Sequence, residues 1–362
     1  MEPPKSDTSP VNVQLHGKLG CLSLNRPSAL HALNLIMVQI LTDALLAWRD
    51  DQNVTLILLD HSGPRGFCAG GDIAMLAASG ATDGQEARAF FHAEYRLNHL
   101  IFTYPKPIIA VMDGITMGGG VGLAIHAPYR IATERTTFAM PETGIGLFPD
   151  VGGGWFLPRL SGQLGIWLAL TGTRLKAADT QNAAISTHFI PSEQLGAVKA
   201  LSIEAASMDS PNATLKSGLA ALSEDAGPPR ELSGDILEQI NQCFAFDTVE
   251  DIVQVLKRQA NQWALAQLAI LATKSPQTLK IALKQMRLGA GATSFAENMA
   301  MEYRIGARVV GLHDFQEGVR AVILDKDNMP IWKPATLAGV TEDMLDAIFA
   351  PLPPHEEWTP LS

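Results

Sequence analysis

Three stretches of this sequence concentrate residues able to do chemistry. The first two are glycine clusters, GFCAGGD at 66–72 and GGGVG at 118–122. A residue without a Cβ lets the backbone approach a bound group and point bare N–H groups at an oxygen. Two such amides from separate loops, each leading into a helix, form an oxyanion hole for a reacting carbonyl, and the helix dipoles add positive potential there. Tight turns explain either cluster taken alone. The third stretch is FAMPETGIGLFPDVGGG at 138–154. Glu142 sits in it among apolar residues, so its carboxylate is poorly solvated and suited to act as base or nucleophile. Asp150 precedes Val-Gly-Gly, where capping a turn or helix is a competing role. Glu94, in HAEYRLN at 92–98, reads by itself as a solvent-facing acid on an amphipathic helix.

Other chemistries lack their motifs. GxxxxGK[ST], HExxH and G-x-S-x-G are absent. The three cysteines, Cys21, Cys68 and Cys243, are too few and scattered for a disulfide framework or a zinc site. Cys68 reads as a small buried filler. No two of the nine histidines stand at ligand spacing, and His313 reads as a loop anchor. No metal and no cofactor are expected.

The elements that must position these residues follow a strand–loop–helix rhythm. Residues 11–24 alternate as a hairpin turning near Gly17. Helical spacing of Leu35, Val38, Leu41, Leu45 and Trp48 predicts a helix over 35–49. The apolar runs 54–59 and 108–112 predict strands buried on both faces, with a third short strand at 129–133. A helix is predicted over 85–103, another breaking out of the 118–120 glycines, and a third from Trp155. This is an α/β pattern. Residues 206–235, rich in Ser, Pro, Asp and Gly, read as a linker or irregular insertion. From 236 to 350 the pattern is helical, with starts at Asp247-Thr248 and Ser275-Pro276. The Pro-rich end from 351 is expected to fray.

Bulk properties bound the partners. The chain has 362 residues, 47% of them hydrophobic, and a formal net charge of −10. That charge repels nucleic acid and anionic membrane surfaces, so neither is expected as a partner. Any anionic ligand must be held by local groups such as helix N-termini, backbone amides and a few Lys or Arg. No segment approaches a membrane span. Residues 1–10 lack the apolar core of a signal peptide and the Arg-rich helix of a transit peptide, which predicts a cytoplasmic protein.

GFCAGGDI (66–73), YPKPIIAVMDGITMGGGVGLAIHAPYRIAT (104–133) and FAMPETGIGLFPDVGGGWFLPRL (138–160) resemble the crotonase superfamily of enoyl-CoA hydratases and isomerases. The third stretch is the most specific and is similar to the 3-hydroxyisobutyryl-CoA hydrolases. KSPQTLKIALKQ (274–285) and the stretch 301–334 agree with it. The resemblance covers the chain apart from about the first ten residues and 206–235, and it implies a repeated β-β-α spiral core over 11–205 and a helical C-terminal region over 236–350. It implies an acyl-CoA substrate whose CoA is part of the substrate. It leaves open a homo-oligomer, often a trimer in the superfamily, or a C-terminal region folded back on its own subunit.

By motif, the Gly71 and Gly119 amides match the family's oxyanion donors. Glu142 matches its catalytic glutamate, Asp150 its second acid, and Glu94 a substrate-contacting acid. Glu142 would then attack the carbonyl to give a mixed anhydride or activate a water. In enoyl-CoA hydratases a second glutamate stands two positions after GGG; here that position is Gly122. The implied activity is hydrolysis of a short 3-hydroxyacyl-CoA. The alternatives are an enoyl-CoA hydratase or isomerase, for which Glu142 alone would suffice in the isomerase case, and a non-catalytic binding protein of the same fold. His31 stands where most relatives carry Asn and is expected at the surface, with a contact to the CoA phosphates as the alternative. Lys106 reads as a solvated turn lysine or a phosphate contact.

Overall fold

The computed structural model describes residues 9–361. Most of the N-terminal segment read for targeting signals, residues 1–8, lies outside the described residues.

The main sheet has six strands. β1 (Val11–His16) and β2 (Leu19–Leu24) form the expected hairpin around Gly17, and its positive φ of 60° suits glycine. β3 (Leu56–His61), β4 (Ile108–Met112), β6 (Tyr129–Ala132) and β9 (His188–Phe189) then extend the sheet in parallel from β2. β5 (Ile115–Met117), β7 (Thr137–Ala139) and β8 (Leu175–Lys176) form a smaller sheet.

β4 is apolar along its whole length, and β3 over Leu56–Leu59, because both faces are covered there. Leu22, Ile57, Leu59, Ala110 and Met112 join the core under the helices Leu35–Arg49 and Gln85–Phe102. Their neighbours Cys21, Leu56, Leu58, Ile109 and Val111 pack on the other side against Val198, Ala205, Leu215 and Leu219. β3 begins two residues later than predicted. The Val54 amide closes a turn onto Asp51 O, so Val54 packs into the core from the turn.

Residues 206–235 are not wholly irregular. Helix Pro211–Leu222 lies within them, with Ser210 before it and Pro211 in its first turn. Its Leu215 and Leu219, one helical turn apart, bury against the sheet. Likewise the Pro-rich stretch from 351, over its described residues, is tied to the body of the fold. Trp358 is only 3% exposed, and its indole N–H reaches His92 O at 3.2 Å. Arg96 Nε donates to Thr359 O at 2.8 Å, and Arg304 pairs with Glu357 at 2.9 Å.

The smaller sheet explains how the chemistry-bearing residues meet. Three successive turns of the chain run side by side. Cys68 N–H donates to Ile115 O at 2.9 Å and Met117 N–H donates to Cys68 O at 3.0 Å. β5 and β7 pair with Met117 opposite Ala139. Just past this row each turn delivers one group: Gly71, Gly119 and Glu142. No described helix is long and apolar enough to cross a membrane.

Candidate active site

All five residues singled out in the sequence line one cleft: Gly71, Glu94, Gly119, Glu142 and Asp150. The cleft holds about 470 Å³ of empty space, its mouth included. Its walls are apolar, from Ile73, Leu76, Phe90, Phe91, Ile145 and Leu147.

Gly71 and Gly119 both line it. Leu33 bridges Gly71 by donating to Gly70 O at 2.7 Å and accepting from Asp72 N–H at 2.8 Å. In such a bridge the N–H of the middle residue points to the opposite side, so the Gly71 amide turns away from Leu33. Gly119 opens the helix Gly119–Ala124, so its N–H has no partner within the helix. A Cβ on Gly119 would collide with Glu94 Oε1 and come within 3.1 Å of Leu33. A Cβ on Gly71 would press on Phe90 at 3.3 Å. A side chain at Gly119 would thus displace the Glu94 carboxylate from the cleft, while at Gly71 the Phe90 ring would have to give by a few tenths of an ångström.

Three carboxylates converge on these amides. Glu142 is 4% exposed and begins a short helical turn, Glu142–Ile145. Burial pushes its carboxyl well above the usual range; Asp150 adds to that, while its own backbone amide and Lys274 oppose it. Glu142 Oε2 has no hydrogen-bond partner. Asp150 is 5% exposed, and burial pushes it up to about 7 against the pull of the Tyr95 hydroxyl, which donates to Asp150 Oδ2 at 2.9 Å. Glu94 is 2% exposed and is raised well above the carboxylate range by burial and then by Asp150. Its Oε1 also lacks a partner. Glu94 thus faces the cleft and not solvent, as the apolar stripe of its helix dictates: Phe90, Phe91, Tyr95 and Leu97 are buried with it. Acids held this way are basic, dry and aimed at one space, a pattern that points to a reacting site.

The position two residues after the glycine triplet is closed. A Cβ on Gly122 would lie 2.6 Å from Val151 Cβ and 2.8 Å from Asn98 Nδ2. No second glutamate fits there without moving the loop that carries Asp150.

Two residues of this neighbourhood escaped the sequence reading. Tyr95 holds Asp150. Glu302, on the helix Phe295–Val309, is fully buried behind the Asp150 loop. It accepts hydrogen bonds from Gly152 N–H at 2.7 Å and Gly154 N–H at 2.9 Å. Burial pushes it up to about 8 while those amides and Asn298 pull it down. The available signal was a polar pair, Asn298 and Glu302, one turn apart on a stripe shared with Phe295, Met299 and Ile305.

Four other expectations can be placed. His31 is buried at 1% exposure, not at the surface. Arg26 N–H donates to its Nδ1 and its Nε2–H donates to Ser62 O, both at 2.9 Å, so a neutral ring ties two loops. Burial lowers its pKa to about 4. Lys106 is not a freely solvated turn lysine. Its Nζ donates to Trp48 O and to Asp51 O, the latter at 2.6 Å, at the C-terminal end of the Leu35–Arg49 helix. Cys68 is a buried thiol, and His313 anchors a loop through Ile331 O at 2.9 Å. Among the described residues no group of three His, Cys, Asp or Glu is placed to hold a metal ion.

Known proteins resemble this chain along most of its length. The family model described as enoyl-CoA hydratase/isomerase matches residues 19–349. A 3-hydroxyisobutyryl-CoA hydrolase, mitochondrial, of Danio rerio is 45% identical over 338 residues, covering 93% of this chain and 88% of that protein. Its namesake in Xenopus laevis is 45% identical over 340 residues, with coverage of 93% and 87%. A crystal structure from Mycobacterium thermoresistibile, described as a carnitinyl-CoA dehydratase, superposes with a TM-score of 0.89 at 38% identity, covering 97% of this chain and 99% of that one. The two relatives are named as mitochondrial, which overturns the expectation of a cytoplasmic protein, an expectation that rested on no positive signal. The matched length, the identity and the shared fold place this chain in the enoyl-CoA hydratase/isomerase family, the crotonase superfamily.

Proposed function

We propose that this chain hydrolyses a short 3-hydroxyacyl-CoA thioester, most fittingly 3-hydroxyisobutyryl-CoA, to the free 3-hydroxy acid and CoA, a step of valine breakdown. The observation that carries the reading is the grouping of Glu142, Asp150 and Glu94 around the Gly71 and Gly119 amides in one apolar cleft. The names of the 45% identical relatives support it.

The thioester oxygen accepts hydrogen bonds from the Gly71 and Gly119 amides. These stabilise the negative charge that develops on it, which is where binding counts toward rate. Glu142 supplies the oxygen chemistry by one of two routes. As base it takes a proton from water, the water oxygen bonds to the carbonyl carbon, and the C–S bond breaks with the proton passing to the CoA sulfur. As nucleophile it forms the C–O bond itself, CoA leaves, and water then opens the anhydride. Asp150 orients that water or accepts the 3-hydroxyl of the acyl group, and Glu94 helps hold the hydroxyl.

The dehydratase description of the 38% identical structure favours a second reading, water addition or removal at a double bond. A two-glutamate version needs an acid where Gly122 stands, and Val151 and Asn98 occupy that space. An isomerase moving protons along an apolar chain has little use for Asp150. Acyl-CoA is thus the expected small-molecule partner, with no nucleic acid or membrane partner and a homo-oligomer as one possible assembly. The test is thiol release from a panel of acyl-CoAs with and without a 3-hydroxyl. Release from 3-hydroxyisobutyryl-CoA or 3-hydroxypropionyl-CoA supports the reading. No release from either, with fast hydration of crotonyl-CoA, refutes it.

A further inference from the structure

The turn that carries Asp150 holds a backbone conformation its own sequence resists. Val151 has φ of +51° and Gly152 of +90°. A β-branched residue in the left-handed region is a true outlier, and it persists only where the surroundings over-determine it. Those surroundings come from distant parts of the chain. Glu302 Oε2 accepts from Gly152 N–H, and its Oε1 accepts from Gly154 N–H. The same Oε1 accepts from Asn298 Nδ2 at 2.8 Å and Gln285 Nε2 at 3.2 Å. Gln285 Nε2 also donates to Pro149 O at 2.7 Å, and the His126 ring donates to Val151 O at 2.8 Å.

All four partners of the Glu302 carboxylate are N–H donors, and a carboxylate is the side chain that accepts from every one of them. A glutamine would set its own NH₂ against at least one of these donors. The acceptor-only, ionised form therefore has a use that bare polarity does not supply, and these four donors favour it against the burial that opposes it. The held turn sends the Val151 side chain toward Gly122, and sends the Asp150 carboxylate into the cleft beside Tyr95.

We propose that Glu302 is a positioning residue of this site: through the Gly152 and Gly154 amides it keeps Val151 left-handed and so aims Asp150 at the acyl group. The part of this that concerns Asp150 and the 3-hydroxyl rests on the hydrolase reading above. The C-terminal helices then act on the reaction through one buried carboxylate, without touching substrate.

The experiment uses the full chain with Glu302→Gln, and with Glu302→Asp, which keeps the charge but withdraws it by about 1.5 Å, one C–C bond. Thiol release is measured on 3-hydroxyisobutyryl-CoA and on isobutyryl-CoA, alone and in an Asp150→Ala background. Amide hydrogen exchange is followed at Gly152 and Gly154. Expected are a loss of roughly tenfold or more in kcat/KM on the hydroxylated substrate, a smaller loss on the plain one, and no added loss once Asp150 is gone, since residues acting as a unit are not additive. Protection at the two amides should fall while the rest of the fold keeps its own. Equal losses on both substrates that add to those of Asp150→Ala would overturn the proposal. If Glu302→Gln does not fold, Glu302→Asp carries the same comparison, and unchanged substrate preference in it also overturns the proposal. If the wild-type chain releases no thiol at all, the hydrolase reading fails on its own. The exchange data still decide the positioning role: unchanged protection at Gly152 and Gly154 removes it.

Discussion

The Tyr95 hydroxyl donates to Asp150 Oδ2 across 2.9 Å, joining the helix wall of the cleft to the acid on the opposite loop. This contact lowers the Asp150 pKa against the burial that raises it to about 7. Tyr95→Phe removes the donor and keeps the ring, so the Asp150 pKa should climb further. If Asp150 works ionised, the rate rises with pH through its pKa. The ascending limb of kcat/KM, expected near pH 7 in the wild type, should move to higher pH in Tyr95→Phe by about one unit, the equivalent of roughly 1.4 kcal/mol for a hydrogen bond to a charged group. A pH–rate profile of the two proteins checks it; a limb that stays put shows that Asp150 does not govern the profile.

Asp150→Ala separates the two roles open to this acid. Recognition of the 3-hydroxyl predicts a larger loss on 3-hydroxyisobutyryl-CoA than on isobutyryl-CoA, by about 1–3 kcal/mol for a buried hydroxyl left without its partner. Water orientation predicts equal losses. Unchanged rates with a lowered melting temperature would make it a cap only.

Stability should run against activity at this cluster. Glu94, Glu142 and Asp150 all have folded pKa values raised above their unfolded ones. The folded state then binds more protons than the unfolded one, so this cluster's contribution to stability falls as pH rises from the ordinary carboxylate range, near 4, through about 7 and above. Glu142→Gln removes one buried charge and should raise the melting temperature by a few degrees at pH 8 and by less at pH 5. Melting curves at the two pH values decide it. A lower melting temperature at pH 8 would mean that the carboxylate contributes net stability.

Gly122→Ala should not create a hydratase. Its new methyl meets Val151 and Asn98, and overpacking of this kind costs typically 1–3 kcal/mol. A lowered denaturant midpoint, with the loss of activity concentrated on hydroxylated substrates, is the expected result. A fully stable variant would show that the Val151 turn moves freely.

Much of this site was legible because glycine and long apolar runs have few explanations. GFCAGGD and GGG require close backbone approach, and the unbroken apolar stretches of β3 and β4 require cover on both faces. What escaped depends on tertiary context. Glu94, named only through the resemblance, and Glu302, missed altogether, look like ordinary helix acids until their helical stripes are traced; then each proves to share its face with phenylalanine or methionine and an asparagine one turn away. His31 looked exposed because a histidine in a loop usually is, yet two backbone groups 36 residues apart, Arg26 N–H and Ser62 O, claim both its nitrogens. The helix Pro211–Leu222 was hidden by its Ser- and Pro-rich surroundings, although Ser210-Pro211 is a helix start and Leu215 and Leu219 share a face.

The central claim is that one dry carboxylate, Glu142, carries the hydrolysis of a thioester held by two glycine amides. The most direct measurement is single-turnover release of CoA thiol from 3-hydroxyisobutyryl-CoA by Glu142→Gln, beside its affinity for the same thioester. The account predicts a rate at least about a thousandfold lower, as expected when a group acting in the reaction itself is removed, with affinity within a few-fold of the wild type. Near-normal thiol release by this variant would contradict both routes through Glu142.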